Sequence, residues 1–196
     1  MNSKFDRNDT RTLSWGDKFA YAIPALPLAI IGIPVYVFLP KFYTDTVGLS
    51  ISIVGILLMA VRLFDGLTDP VIGFLSDKTS SRFGRRKPYI ALGALGLSIS
   101  ILFLFRPPIL SEMSLNVYFG FWLFTLFFFW TLITIPYESL GPEITRDYHE
   151  RTSLFAFRDG FLIIGTLLAA ASPILIDAAM KAVGKIPTER ERFSIM

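Results

Sequence analysis

Arg62-Leu-Phe-Asp65-Gly-Leu-Thr-Asp69-Pro70 and the Ser76-Asp77-Lys-Thr-Ser-Ser-Arg82-Phe-Gly84-Arg85-Arg86-Lys87-Pro88 that follows it decide how this chain is read. The first stretch lies inside an apolar segment from Ile51 to Leu75. On a helix Arg62, Asp65 and Asp69 fall at i, i+3 and i+7, so the three charges share one face. An ionisable side chain at the centre of a membrane span costs about 2.5–3.5 kcal/mol on insertion scales. Three on one face therefore point at a protein interior or a wet cavity. A satisfied Arg62–Asp65 pair locking helices together accounts for one carboxylate. It leaves the second. Two carboxylates one turn apart repel unless a cation sits between them or one keeps its proton, and either outcome is a cation or proton site.

The residues around this stretch give it a membrane setting. Of 196 residues 53% are hydrophobic and 15% aromatic, and only 18% are charged, too apolar a balance for an ordinary soluble domain. The apolar residues come in blocks of spanning length, which predicts an all-α polytopic membrane protein. The expected order is a tail over 1–18, five spans at about 19–40, 51–75, 89–105, 115–140 and 156–176, and a polar stretch over 177–196. That last stretch is read as a loop and the start of a missing sixth span. Ser50 is the expected N-cap of the second span, and Lys41–Ser50 the loop before it. Gly93, Gly96, Ser98 and Ser100 offer a small-residue packing face on the third. The aromatic middle of the fourth, Phe119 to Trp130, is expected to face lipid and neighbouring helices. Prolines 24, 27, 34 and 40 mark the first span either as bent to fit its packing or as lining a cavity.

Positive charge sets the expected orientation. The tail, the 77–88 loop and the stretch from Arg146 to Arg158 carry twelve Lys and Arg, and the loops after spans one and three carry two. Counting the four after span five brings the second side to six. The larger count predicts a cytoplasmic N-terminus in a cell membrane, with the first span as insertion signal. There is no cysteine and one histidine, so thiolate chemistry and a Cys or His metal cluster are excluded. No nucleophile–base set appears, so an enzyme, a cofactor and a nucleic-acid partner are not expected.

Gly73-Phe-Leu-Ser-Asp77 through Gly84-Arg85-Arg86 resembles the loop motif between spans two and three of the major facilitator superfamily. The preceding Arg-x-x-Asp-x-x-x-Asp-Pro is similar to the signature of that superfamily's glycoside–pentoside–hexuronide:cation symporters, the melibiose-permease branch. Phe42-Tyr-Thr-Asp-Thr-Val-Gly-Leu-Ser50 and the stretch from Ile135-Pro136-Tyr137 to Arg158 resemble the same branch. The resemblance implies the N-terminal six-helix half of a major-facilitator fold, truncated after its fifth span, whose partner would be the missing C-terminal half.

By that resemblance Asp65, Asp69, Thr68 and Thr131 form the site of a coupling cation, Na⁺ or H⁺, with Asp65 and Asp69 as its metal ligands if it is Na⁺. Carboxylate and hydroxyl oxygens are hard ligands suited to such ions. Arg158, Thr134 and Glu138 are implied at the substrate site, and Asp77, Arg85, Arg86, Glu143 and Arg151 at a cytoplasmic gate. The chain departs from the branch in three places. It has no aligned acid on span one, it has Thr134 where a span-four aspartate is expected, and it has Glu138 at an aromatic position. Glu138 is then either an ion-pair partner of Arg158 or Arg62 or a ligand-binding carboxylate. The implied function is cation-coupled symport of a sugar or glycoside by alternating access within membrane lipid. A lipid or organic anion as cargo, or an inactive fragment, are the alternatives.

Overall fold

The computed structural model describes residues 12–82, 84–109 and 111–182. Among the described residues every regular element is helical. Five helices are long and apolar enough to cross a membrane: Trp15–Thr46, Ile51–Lys78, Lys87–Leu104, Glu112–Ile144 and Tyr148–Ile176. These are the first to fifth spans of a multi-pass membrane protein. The fifth continues as helix to Ala182. The expected start of a sixth span lies, from residue 183 onward, outside the described residues, as does the tail up to residue 11.

The first span is longer than its prolines suggest. Lys41–Ser50 is expected as a loop, yet the chain stays helical to Thr46. Proline lacks an N–H, and its ring collides with the carbonyl four residues back. A π turn, one residue wider than an α turn, makes room for that ring. Pro34 opens a π segment to Phe38, Pro40 sits in the short α turn Leu39–Lys41, and a second π segment covers Phe42–Thr46. Gly48 then turns the chain with φ of 90°, a left-handed conformation that penalises a Cβ. Ser50 holds the N-cap position of the second span, but its side chain makes no capping bond.

The chain divides into two compact units. One joins the chain up to Ile33 to Ser139–Ala170. There Trp15 and Phe19 set ring edges against Phe157 at 5.3 and 5.5 Å. Gly165 lets the Leu26 carbonyl approach, since a Cβ at that position would lie 2.6 Å from its oxygen. Ser14 and Asp17 close a capping box over the first turn. Lys18 Nζ lies 3.0 Å from Glu150 Oε2, and the Leu13 N–H donates to the same oxygen.

The other unit holds Pro34–Glu138 and the chain from Ala171. Its core joins the buried end of the first span, Val35, Leu39, Phe42 and Tyr43, to the third span packed against the fourth. Gly93 and Gly96 replace side chains with the Ile133 side chain and the Phe129 ring, and Ser100 is buried on the same face. Ser98, grouped with them by sequence, points to the exposed side. The aromatic middle of the fourth span splits by face. Phe119, Leu123, Leu126 and Phe127 are buried, while Phe121 and Phe128 are exposed. Tyr43 packs its ring 4.1 Å from that of Phe119 and donates its hydroxyl to the Leu104 carbonyl at 2.9 Å.

Candidate functional site

The second and fourth spans run side by side in one direction. Leu57 packs at Gly120, Phe64 rings against Phe124, and Gly73 faces Ile135. This register places Thr131 level with Asp69, about one turn beyond Asp65. All four residues expected at the cation site therefore lie in one unit and within about two helical turns of one another along the spans. Thr131 is buried, and Thr68, Asp65 and Asp69 are half-buried.

Asp65 is the most constrained of them. Its Oδ2 lies 3.5 Å from Arg62 Nη1, while its Oδ1 is buried without a hydrogen-bond partner. A buried carboxylate oxygen left unpaired is costly unless a cation or proton fills the gap. Thr68 donates its hydroxyl to the Phe64 carbonyl at 3.1 Å, so its oxygen lone pairs remain for accepting. Asp69 makes no ion pair with a described residue.

Arg62 reaches less toward Asp65 than toward aromatic rings. Its guanidinium carbon lies 4.7 Å from the Tyr36 ring centroid and 5.3 Å from that of Phe127. Tyr36 in turn meets Phe127 at 5.7 Å and Trp130 edge-on at 5.9 Å. Sequence reading did not find this aromatic group. The signal available was Phe127 one turn before Thr131, with Tyr36 as the lone aromatic between Pro34 and Phe38.

The residues expected at the substrate site fall in both units. Arg158, in the unit with Ser139–Ala170, pairs with Asp159 at 2.8 Å and lies over the Phe155 ring at 4.9 Å. Thr134, in the other unit, donates to the Trp130 carbonyl at 3.1 Å. Glu138, in the same unit as Thr134, is exposed. Arg62 pairs within its own helix, and Glu138 makes no ion pair with a described residue. An apolar groove of about 450 Å³ opens beside Phe64, lined by Phe121, Phe124, Phe128 and Phe129.

The residues expected at the gate divide likewise. Arg86 is buried, donating Nη2 to Asp77 Oδ1 at 2.7 Å and Nη1 to the Pro136 carbonyl at 3.5 Å. It thereby ties the loop to the fourth span where Pro136 interrupts the helical bonding. Arg85 is exposed. Glu143 and Arg151 belong to the other unit, where Glu143 is exposed and Arg151 donates to the Thr145 carbonyl at 3.4 Å.

Comparison with known proteins adds three relatives. Residues 20–196 match the family described as MFS/sugar transport protein. A symporter of Synechocystis sp., sll1374, is 33% identical over 174 residues, covering 86% of this chain and 32% of that protein. The putative glycoside/cation symporter YagG of Escherichia coli is 30% identical over 155 residues, 79% of this chain and 34% of its own. The sodium-dependent lysophosphatidylcholine symporter 1 of Gallus gallus is 31% identical over 169 residues, 84% of this chain and 31% of its own. The chain spans about a third of the length of the curated relatives it matches.

Proposed function

The chain belongs to the MFS/sugar transport protein family of the major facilitator superfamily, in its glycoside–pentoside–hexuronide:cation symporter branch, and from this we propose that it serves cation-coupled symport of a sugar or glycoside by alternating access. Asp65 and Asp69 hold the coupling cation, Na⁺ or H⁺, with the Thr68 and Thr131 oxygens completing the coordination. The observation that carries this reading is the buried, unpartnered Oδ1 of Asp65, one turn from Asp69 on the same helix face. Where the cation is Na⁺, these are the hard oxygen ligands it takes. Arg158 donates to the substrate's hydroxyl or carboxylate groups. Thr134 and Glu138 are candidates for the same work. Asp77 with Arg86, and Arg85, Glu143 and Arg151 with them, bias which face of the membrane is open. The N-terminus faces the cytoplasm, because the larger share of positive charge falls on that side, and the membrane it crosses is the cell membrane.

A second cargo is supported by one comparison. The lysophosphatidylcholine symporter is as similar to this chain as the glycoside/cation symporter, and the phenylalanine groove beside Phe64 offers an acyl chain an apolar bed. Uptake into proteoliposomes under an imposed Na⁺ or H⁺ gradient separates the two cargoes. Radiolabelled glycoside accumulated only with the gradient supports the first reading. Accumulation of lysophosphatidylcholine instead supports the second. Entry of either that ignores both gradients contradicts cation coupling.

A further inference from the structure

Arg62 stands next to a carboxylate that it does not fully engage. An arginine fork and a carboxylate prefer two parallel bonds of about 2.7–2.9 Å. Here a single contact of 3.5 Å is made and Oδ1 of Asp65 goes without a partner. The guanidinium is engaged elsewhere as well. It sits over the Tyr36 ring at 4.7 Å and the Phe127 ring at 5.3 Å, a cation held by two π faces. The Tyr36 ring is fixed by its contacts with Phe127 and Trp130. Its backbone belongs to the π segment Pro34–Phe38, whose wider turn sets the direction of the side chain.

We propose that Tyr36 is a positioning residue: with Phe127 it holds the Arg62 guanidinium aside from Asp65, leaving Oδ1 open to the coupling cation. Arg62 is a competitor tethered one turn from the site. Freed from the rings, its fork closes on Asp65 and occupies the oxygens the cation needs. Tyr36 thus sets cation affinity without touching the cation. This rests on the reading of Asp65 and Asp69 as the cation site.

The test uses the protein expressed from its complete reading frame and purified in detergent. The probes are Na⁺, titrated against choline chloride, and H⁺, compared at pH 5.5 and 8. A cation–π contact of about 0.5–2 kcal/mol, at 1.4 kcal/mol per tenfold, gives an expected loss of about twofold to thirtyfold in cation affinity for Tyr36→Leu. Phe127→Leu should lose affinity in the same direction. Tyr36→Phe keeps the π face and should recover affinity to within about threefold of the original. In an Arg62→Gln background the tethered competitor is gone, and Tyr36→Leu should then change nothing. A merely structural Tyr36 would lose as much in that background as outside it, and this result overturns the proposal. So does an unchanged affinity in Tyr36→Leu where Asp65→Asn and Asp69→Asn have abolished the cation response. If the two Asn variants keep the response, or the unmutated protein shows none to either probe, the site reading itself falls and the proposal falls with it.

Discussion

Arg86 closes on Asp77 across nine residues at 2.7 Å, its own side chain 7% exposed and the carboxylate 59% exposed. The pair is screened by water at its acidic end and protected at its basic end. Its worth therefore lies in holding the loop against the Pro136 carbonyl more than in Coulomb attraction alone. Asp77→Asn keeps shape and removes charge. We expect it to shift the balance between inward- and outward-open states by about 1–3 kcal/mol, the usual range of such couplings. Paired cysteine labels on the two faces read that balance. Cation affinity should stay within its original range, and a variant that loses cation binding with unchanged accessibility contradicts the gate.

Topology is tested separately. Ser80 lies in the basic loop and Ser114 at the start of the fourth span. A cysteine at Ser114 should react with an impermeant maleimide added to intact cells, and one at Ser80 only after permeabilisation. The reverse pattern places the N-terminus outside.

The glycines of the third span predict a stability contrast. A methyl at Gly96 runs into the Phe129 ring, and one at Gly93 would lie 2.6 Å from Ile133 Cγ1. Overpacking of this kind costs about 1–3 kcal/mol. Gly96→Ala and Gly93→Ala should lower the melting temperature in detergent. Gly55→Ala, where nothing lies within 4 Å, should not. Equal melting temperatures for all three would mean that the third and fourth spans do not pack as described.

Much of the fold was legible because membrane burial leaves a coarse mark. Blocks of about twenty apolar residues gave five spans, and the charge spacing of Arg62, Asp65 and Asp69 gave a face. The end of the first span was not legible. Prolines signal a break in general, and the sequence holds no sign that π turns absorb them between Pro34 and Thr46. Ser98 falls off that face as helix periodicity requires: Gly93, Gly96 and Ser100 stand at i, i+3 and i+7, and a residue two positions from Gly96 and Ser100 does not share their face. The aromatic clamp on Arg62 was missed for another reason. Tyr36 comes from the first span and Phe127 and Trp130 from the fourth, and ordinary apolar composition hides a specific contact with Arg62 of the second.

Lys18 and Glu150 offer a test of the other unit. Their side chains are 13% and 20% exposed and 3.0 Å apart, with Ser153 also accepting from Lys18 Nζ. Glu150→Gln should speed amide exchange over residues 13–18, since Leu13 also donates to this carboxylate. The swapped pair Lys18→Glu with Glu150→Lys should restore part of the protection. A swap no better than the single variant would show that the charge pairing contributes nothing here.

Binding of the coupling cation by Asp65 and Asp69 is checked by substrate affinity measured with and without that cation. The dissociation constant is taken at zero and saturating Na⁺, and at two pH values, for the unmutated protein, Asp65→Cys and Asp69→Cys. Substrate should bind more tightly with cation in the unmutated protein. In both variants this dependence should be lost while part of the cation-free affinity survives. A cation dependence that persists unchanged in both variants would return these aspartates to structural pairing with Arg62 and contradict the account.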